Sequence, residues 1–164
     1  MGRWWEEPFC GFDVESTGVS VEEDRIVSAS FVRINPKPRP PWQVEVHTVL
    51  INPGIPIPPG ATAVHGITDE MVQAKGRNPD GALQEMRAHL DGAANRNEPV
   101  IGMNLPYDLT IFDRDTVRHG GRAFDTSIDF GPFVDVYVLD KQVDKFRRGK
   151  RTLDALCRHY GVRL

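Results

Sequence analysis

The chain has 164 residues, of which 40% are hydrophobic and 26% charged, and its net charge is −3 at pH 7. This balance is typical of one soluble globular domain, so residues 1–164 are expected to form a single domain. No apolar run approaches the roughly 20 residues that cross a bilayer, and the N-terminus lacks a secretory signal pattern. We therefore expect a cytoplasmic protein without membrane contacts, and the acidic net charge gives no global attraction for nucleic acid.

The first third of the chain predicts three strands. Residues 10–15 form an apolar run, and residues 25–34 and 42–51 alternate apolar with polar side chains, as half-buried strands do. The proline-rich residues 35–41 cannot join a sheet and must connect the second strand to the third. We predict that these strands pair antiparallel.

Helical patterns dominate the rest of the chain. Residues 52–60 are too rich in Pro and Gly for regular structure, after which Thr68 and Asn78 can each cap a helix. Pro106 can open a third helix, which a Gly-Gly pair ends, and Thr152 can cap a last one that Gly161 ends.

Two further strands are predicted among these helices, at residues 99–103 and 133–139. Three strands in succession, followed by helices that alternate with two more strands, indicate a mixed five-stranded sheet with helices against its faces. The predicted fold class is α/β.

Two acids one residue apart interrupt the first predicted strand, in the stretch FDVESTG at residues 12–18. Because side chains alternate along a strand, Asp13 and Glu15 should share one face, about 6.5 Å apart. Like charges this close favour a multivalent cation between them, and oxygen ligands favour Mg²⁺ or Mn²⁺ over zinc. The alternative is an ordinary solvated strand face.

A second acid is a candidate in IGMNLPYDLTIF, residues 101–112, where a short strand gives way to a helix. Asp108 lies in the first turns of that helix, where the helix dipole alone would favour an acid. Asn104 could cap the helix or bond a nucleotide through its amide, and Tyr107 could offer a ring on which a base stacks.

These stretches resemble the motifs of a known family. FDVESTG resembles the first motif of the DEDDh 3′–5′ exonucleases, a group that includes the proofreading epsilon subunit of bacterial DNA polymerase III, and GMNLPYD resembles the second. Residues 51–72 are similar to the family's proline-rich segment ending in His-Gly-Ile-Thr. FVDVYVLDK and RTLDALCRHYGV resemble the strand and the helix before the third motif, so the similarity spans most of the chain.

The resemblance implies a ribonuclease-H-like fold and hydrolysis of the terminal phosphodiester at a 3′ end by two Mg²⁺ or Mn²⁺ ions. Asp13 would bridge both ions, and Glu15 and Asp108 would complete their coordination. The residues that would hold the terminal nucleotide are Thr17, Gly18, His65, Asn104 and Tyr107. The expected partners are a single-stranded 3′ end, a nucleoside monophosphate product and a DNA polymerase, and the strand is expected to be DNA, with RNA as the open alternative.

The third motif of the family has no match in this chain. It supplies a general-base histidine and a fourth metal-binding aspartate after the segment matched by HYGVRL, and the sequence ends at Leu164. The open alternatives are a shortened chain, a missing C-terminal tail or a degenerate member that only binds nucleic acid or protein. Lacking these groups, the site is expected to bind metal weakly and to turn over slowly.

Three other aspartates, Asp125, Asp129 and Asp135, are not expected to replace the missing ligand. The first two fall in a predicted turn, and Asp135 falls in the predicted fifth strand. The basic run KFRRGKR at residues 145–151 predicts a solvated loop, with contacts to substrate phosphates as the alternative.

Overall fold

The computed structural model describes residues 3–39, 41–124 and 131–162. Its strands are β1 (Phe9–Ser16), β2 (Ile26–Asn35), β3 (Gln43–Leu50), β4 (Val100–Gly102) and β5 (Phe133–Asp135). Its helices are α1 (Pro59–His65), α2 (Asp69–Lys75), α3 (Pro79–Asn95), α4 (Leu105–Arg118), α5 (Val136–Val143) and α6 (Leu153–Tyr160). Among the helices of these residues, none has the length and apolar content that crossing a bilayer requires.

The five strands form one mixed sheet in the order β3-β2-β1-β4-β5. β1 and β3 each pair antiparallel with β2, whereas β4 pairs parallel with both β1 and β5. The predicted α/β class and five-stranded mixed sheet are confirmed.

The main core lies between one face of the sheet and helices α3 and α4. Phe12 and Val14 of β1 point into it, and the ring of Phe12 meets that of Phe112 edge to face at 5.6 Å. Burying such side chains stabilises the fold by about 1.5 to 3 kcal/mol each. Because β1 commits this face to the core, Asp13 and Glu15 project from the other.

The predicted helix caps are confirmed where the sequence carried a capping residue. The side chains of Thr68, Asn78 and Thr152 accept hydrogen bonds from N–H groups in the first turns of α2, α3 and α6. Gly161 ends α6 in the left-handed conformation, with φ 69°.

Two elements differ from the prediction. Helix α1 begins at Pro59 inside the segment predicted to be irregular, because proline suits the first helical position, where no N–H partner is needed. Residues 136–139 were expected to extend β5, but they begin α5. β5 has only three residues of β4 to pair with, and Asp135 caps α5 by accepting the N–H of Tyr137 at 2.8 Å.

Candidate active site

The shortness of β4 opens one edge of β1. Of the residues in β1, only Cys10 and Gly11 pair with β4. On this edge, Cys10 donates its N–H to the carbonyl of Pro99. Because the N–H groups of alternate residues along a strand point to the same edge, the N–H of Val14 also faces it. It donates to Oδ1 of Asp108 at 3.0 Å. Asp108, in the first turn of α4, therefore lies at the end of β1.

This placement brings the three predicted acids together at the end of β1, in a group that we call the acid cleft. Asp13 and Glu15 lie on the face of β1 opposite the buried Phe12 and Val14, as predicted, and Asp108 reaches the same strand from α4. The charges of Asp13 and Glu15 each raise the pKa of Asp108, and the charge of Asp13 raises the pKa of Glu15. The three carboxylates thus act on one another electrostatically.

The cleft makes the charged form of these acids costly. Asp108 is 4% exposed, and burial is the largest cause that raises its pKa to about 7, against the lowering effect of the Val14 N–H. Loss of hydration is also the largest cause that raises the pKa of Asp13 and of Glu15, although Asp13 still reaches the surface. Within the described residues, no salt bridge to lysine or arginine neutralises any of the three.

The donor set fits the divalent ions that the resemblance implies. It consists of carboxylate oxygens alone, which are the ligands that Mg²⁺ and Mn²⁺ prefer. A cation at this cleft would supply the positive charge that the described residues do not, and would bring the three carboxyls back to their ionised form.

A hydrogen-bonded turn follows β1 directly. The hydroxyl of Tyr107 donates to the carbonyl of Gly18 at 2.6 Å, and that of Ser16 donates to the same carbonyl at 2.6 Å. A Cβ on Gly18 would lie 2.5 Å from a carboxylate oxygen of Asp24, so a larger residue here would displace the side chain of Asp24. Tyr107 therefore fixes this turn through its hydroxyl, while its predicted stacking on a base stays a prediction.

Thr17 is buried within the same turn. Its hydroxyl donates to Asp24 at 2.8 Å and accepts the N–H of Arg25 at 3.0 Å, and its own N–H donates to the carbonyl of Arg25. These groups are engaged inside the protein, so Thr17 supports the turn from beneath. Its predicted contact with the terminal nucleotide stays a prediction.

His65, at the end of α1, lies beside the acids although it is 50 residues from Glu15 in sequence. Its Nδ1 accepts the N–H of Ile67 at 3.0 Å, so Nε2 carries the hydrogen in the neutral ring, and Nε2 lies 3.2 Å from the carbonyl of Ser16. A positive charge on His65 would lower the pKa of Glu15. The ring is thus oriented toward the strand that carries the acids.

Asn104 takes the left-handed conformation, φ 61°, between β4 and α4. The expectation that it could cap α4 is wrong in one respect, since its side chain makes no capping hydrogen bond. Its N–H donates instead to Oδ1 of Asp135, the oxygen that also caps α5. Asp135 therefore hydrogen-bonds to two turns, which is consistent with the prediction that it is not a metal ligand. Asp125 and Asp129 lie outside the described residues.

The basic run forms an irregular loop, as predicted, and five of its seven residues are exposed, but two of its arginines are not solvated. Arg147 and Arg151 form salt bridges with the buried Asp140, and their side chains are only 7% and 16% exposed. These two guanidinium groups neutralise an internal acid, so they are not available to substrate phosphates. The charge pattern missed this because Asp140 looks like any helical acid in the sequence.

Two further residues at the site were not among the predicted metal ligands and substrate contacts. Asp24 holds the turn after β1 by accepting from Thr17 and from the N–H of Ser20, and Ser16 bonds Tyr107 at 2.8 Å. Asp24 follows two glutamates, so nothing in the sequence distinguishes it from an exposed acid. Ser16 directly follows Glu15, and its hydroxyl was the available signal.

Comparison with known sequences assigns the chain to a family. A sequence model of the family described as Exonuclease, RNase_T, matches residues 10–164. A "DNA polymerase III subunit epsilon-like protein" of Rhodobacter capsulatus is 35% identical over 157 residues, which cover 94% of this chain and 20% of the relative. A "DNA polymerase III PolC-type" of Lacticaseibacillus paracasei is 26% identical over 93% of this chain and 10% of its own length. The chain thus spans a small part of these relatives.

Comparison with solved structures identifies the fold. The complex of E. coli exonuclease I with a dT13 oligonucleotide superposes with a TM-score of 0.78 at 17% identity, covering 96% of this chain and 36% of that one. A second structure of exonuclease I gives a TM-score of 0.80, with the same identity and coverage. The predicted ribonuclease-H-like fold is confirmed, as is the resemblance to DEDD-family 3′–5′ exonucleases.

Proposed function

Because the chain belongs to the exonuclease family RNase_T, we propose that it is the metal-dependent domain that removes nucleotides from the 3′ end of single-stranded DNA. The observation that carries this proposal is the approach of Asp108 to the Val14 N–H, which brings a third carboxyl to the strand of Asp13 and Glu15. Three acids without an internal cation are suited to binding divalent ions.

Asp13, Glu15 and Asp108 would hold two ions, with Asp13 bridging them. When bound, the ions would stabilise the attacking and leaving oxygens of the scissile phosphodiester. The turn fixed by Tyr107 would position the terminal nucleotide, together with Thr17 and Gly18. His65 would contact its sugar or base from α1, and Asn104 would do so from the turn before α4.

Single-stranded DNA is the preferred substrate on two grounds. Two relatives carry the name of DNA polymerase III, and the solved complex of exonuclease I contains a dT13 oligonucleotide. Association with a DNA polymerase and release of a nucleoside monophosphate belong to the same proposal. RNA remains the competing substrate, because the acids do not read the sugar.

The decisive experiment incubates the protein with a 5′-labelled single-stranded oligonucleotide and Mn²⁺ or Mg²⁺. We expect a ladder of products shortened from the 3′ end, which EDTA abolishes, and a loss of about 1,000-fold or more in rate with Asp13→Asn. Asp154→Asn is the matched control, because Asp154 is an exposed acid paired with Arg158 on α6.

Metal-dependent binding of the 3′ end should also be measured by fluorescence anisotropy, because binding is detected independently of turnover. Wild type that neither shortens the oligonucleotide nor binds it in a metal-dependent way would refute the proposal. Rates equal for Asp13→Asn and Asp154→Asn would refute the assignment of Asp13. An RNA oligonucleotide of the same sequence tests the sugar preference.

A further inference from the structure

A second cluster of metal-ligating side chains lies on the opposite face of the sheet from the acid cleft. His47 is on the edge strand β3, and Glu85 and His89 are one helical turn apart on α3. One ligand atom from each of the three lies within 4.8 Å of the other two. Among the described residues, this group meets that spacing, whereas Asp13, Glu15 and Asp108 are more widely spaced.

The two imidazole rings already face one another. Their centroids are 4.3 Å apart at an angle of 40°, and the ring of His89 stacks at 5.1 Å on Phe31, a residue of the main core. Phe31 is paired with His47 across β2 and β3, so the sheet fixes both the ring and its support. The cluster is therefore held by a strand, a helix and the core between them.

One ligand atom lacks a suitable hydrogen-bond partner in the described residues. Nε2 of His47 is buried and lies 2.6 Å from Oε1 of Glu85, but in a direction that does not satisfy hydrogen-bond geometry. Buried polar atoms are almost always satisfied, so this close contact calls for a positive charge between the two atoms. A proton on Nε2 would supply it as an ion pair, and a metal ion that takes the lone pair of Nε2 would supply it as a ligand.

Neighbouring groups orient the carboxylate of the cluster. Arg77 bonds the other oxygen of Glu85, Oε2, which orients the carboxylate and leaves Oε1 directed at the rings. Arg33 and Arg96 line the same cavity, where both form salt bridges with Glu98.

From this geometry we infer that His47, Glu85 and His89 form a second metal site, which binds one zinc-class divalent ion. Two imidazoles and one carboxylate are a donor set typical of zinc, and they disfavour Mg²⁺, which prefers oxygen ligands alone. The ligands come from the edge strand β3 and from α3, so the ion would link two elements that are separate in the sequence. The open cavity beside the rings leaves the fourth position to water.

The test uses untagged protein carrying Asp13→Asn, which weakens the acid cleft, and measures Zn²⁺ affinity by competition with a chromophoric chelator. We expect one bound Zn²⁺, and an affinity lowered at least about tenfold by a further His89→Gln or Glu85→Gln. His159→Gln is the matched control, because His159 is a half-exposed histidine on α6. Co²⁺ should give a tetrahedral visible spectrum that His89→Gln removes.

The inference is overturned if Asp13→Asn protein binds no Zn²⁺, or if His89→Gln and His159→Gln bind it equally. Should His89→Gln fail to fold, His47→Gln decides, because His47 lies on the more exposed edge strand. Without any substitution, Zn²⁺ should shift the ring nitrogen resonances of His47 and His89 and leave those of His119 and His159 unchanged. Equal shifts at all four rings would also overturn it.

Discussion

Two buried acids of this protein, Asp108 and Glu98, are equally hidden, at 4% exposed each, yet their surroundings are opposite. Arg33 bonds both carboxylate oxygens of Glu98, and Arg96 pairs with it at 3.0 Å. Burial alone would raise the pKa of Glu98, but the hydrogen bonds from Arg33 and Arg96 outweigh it and lower it to about 2. Asp108 receives one backbone N–H, and its pKa rises to about 7.

This difference indicates that the lack of arginine partners is a specific property of the acid cleft. The same chain neutralises Glu98, Asp115 and Asp140 with arginines. Leaving Asp108, Asp13 and Glu15 without such partners costs stability in the metal-free protein, and that cost is what an incoming divalent ion would relieve.

The largest expected effect separates activity from stability at Asp108. Asp108→Asn should lower the exonuclease rate by about 1,000-fold or more, because one of the proposed metal ligands is lost. The same change should stabilise the metal-free protein at pH 8, since the amide oxygen can still accept from Val14 without a buried charge. The measurements are oligonucleotide degradation and urea unfolding in EDTA. If Asp108→Asn were less stable than wild type in EDTA, the inferred cost of the buried Asp108 charge would be contradicted.

Removing the charge of Glu98 is expected to lower the stability of the protein, which is the reverse of the effect on stability at Asp108. Glu98→Gln should lower the free energy of unfolding by about 3 kcal/mol, because it leaves two guanidinium groups without their buried partner. The control is Glu45→Gln, since Glu45 is an exposed partner of Arg33 at 3.8 Å and should change stability by less than about 1 kcal/mol. Urea unfolding measures both, and equal losses would remove the distinction between buried and exposed pairs.

The pH dependence of stability should have opposite signs at the two acids. The folded pKa of Asp108 lies above its ordinary 3.8, so its ionisation opposes folding and stability should fall as pH rises from about 4 to about 7. The folded pKa of Glu98 lies below its ordinary 4.5, so its contribution is present above that value and is lost as pH falls towards about 2.

Thermal unfolding in EDTA across this pH range measures the fall in stability at both acids, and the fall that Asp108 causes is expected to be on the order of 4 kcal/mol. Asp108→Asn should flatten the fall between pH 4 and pH 7 and leave the fall that Glu98 causes unchanged. A profile that Asp108→Asn does not alter would show that another group titrates in this window.

The smallest expected effect concerns the turn beside the acids. Tyr107→Phe removes the hydroxyl that bonds Gly18 and Ser16, and should cost about 1 kcal/mol of stability while raising KM for the oligonucleotide severalfold. Tyr160→Phe is the matched control, because its hydroxyl bonds Asp140 at 2.9 Å, far from the cleft in sequence. It should lose similar stability and keep its KM. Equal KM values for the two variants would argue against a positioning role for Tyr107.

Much of the fold could be predicted from local patterns. An apolar run located β1, and alternation located β2 and β3. Thr68, Asn78 and Thr152 marked helix starts, because capping depends on residues within one turn. The start of α5 could not be read in the same way. The alternating residues after Phe133 have strand propensity, but a strand needs a neighbour, and β4 ends at Gly102.

The candidate site could be predicted in part for the same reason. Alternation was enough to place Asp13 and Glu15 on one face of β1. The bond from Val14 to Asp108 joins residues 94 apart, and the pairing of His47 with Glu85 depends on how α3 crosses the sheet. Contacts over such separations follow from tertiary packing, which periodicity within one segment does not contain.

The early end of β4 has one more consequence. If that strand continued by two or three residues, its carbonyls would take the N–H of Val14, and the carboxyl of Asp108 would be displaced from the end of β1. A more complete ladder and the three-acid cleft therefore exclude each other at this point. The C-terminal end of β1 is therefore unpaired on the side of β4, and the proposed chemistry would occur at this unpaired edge.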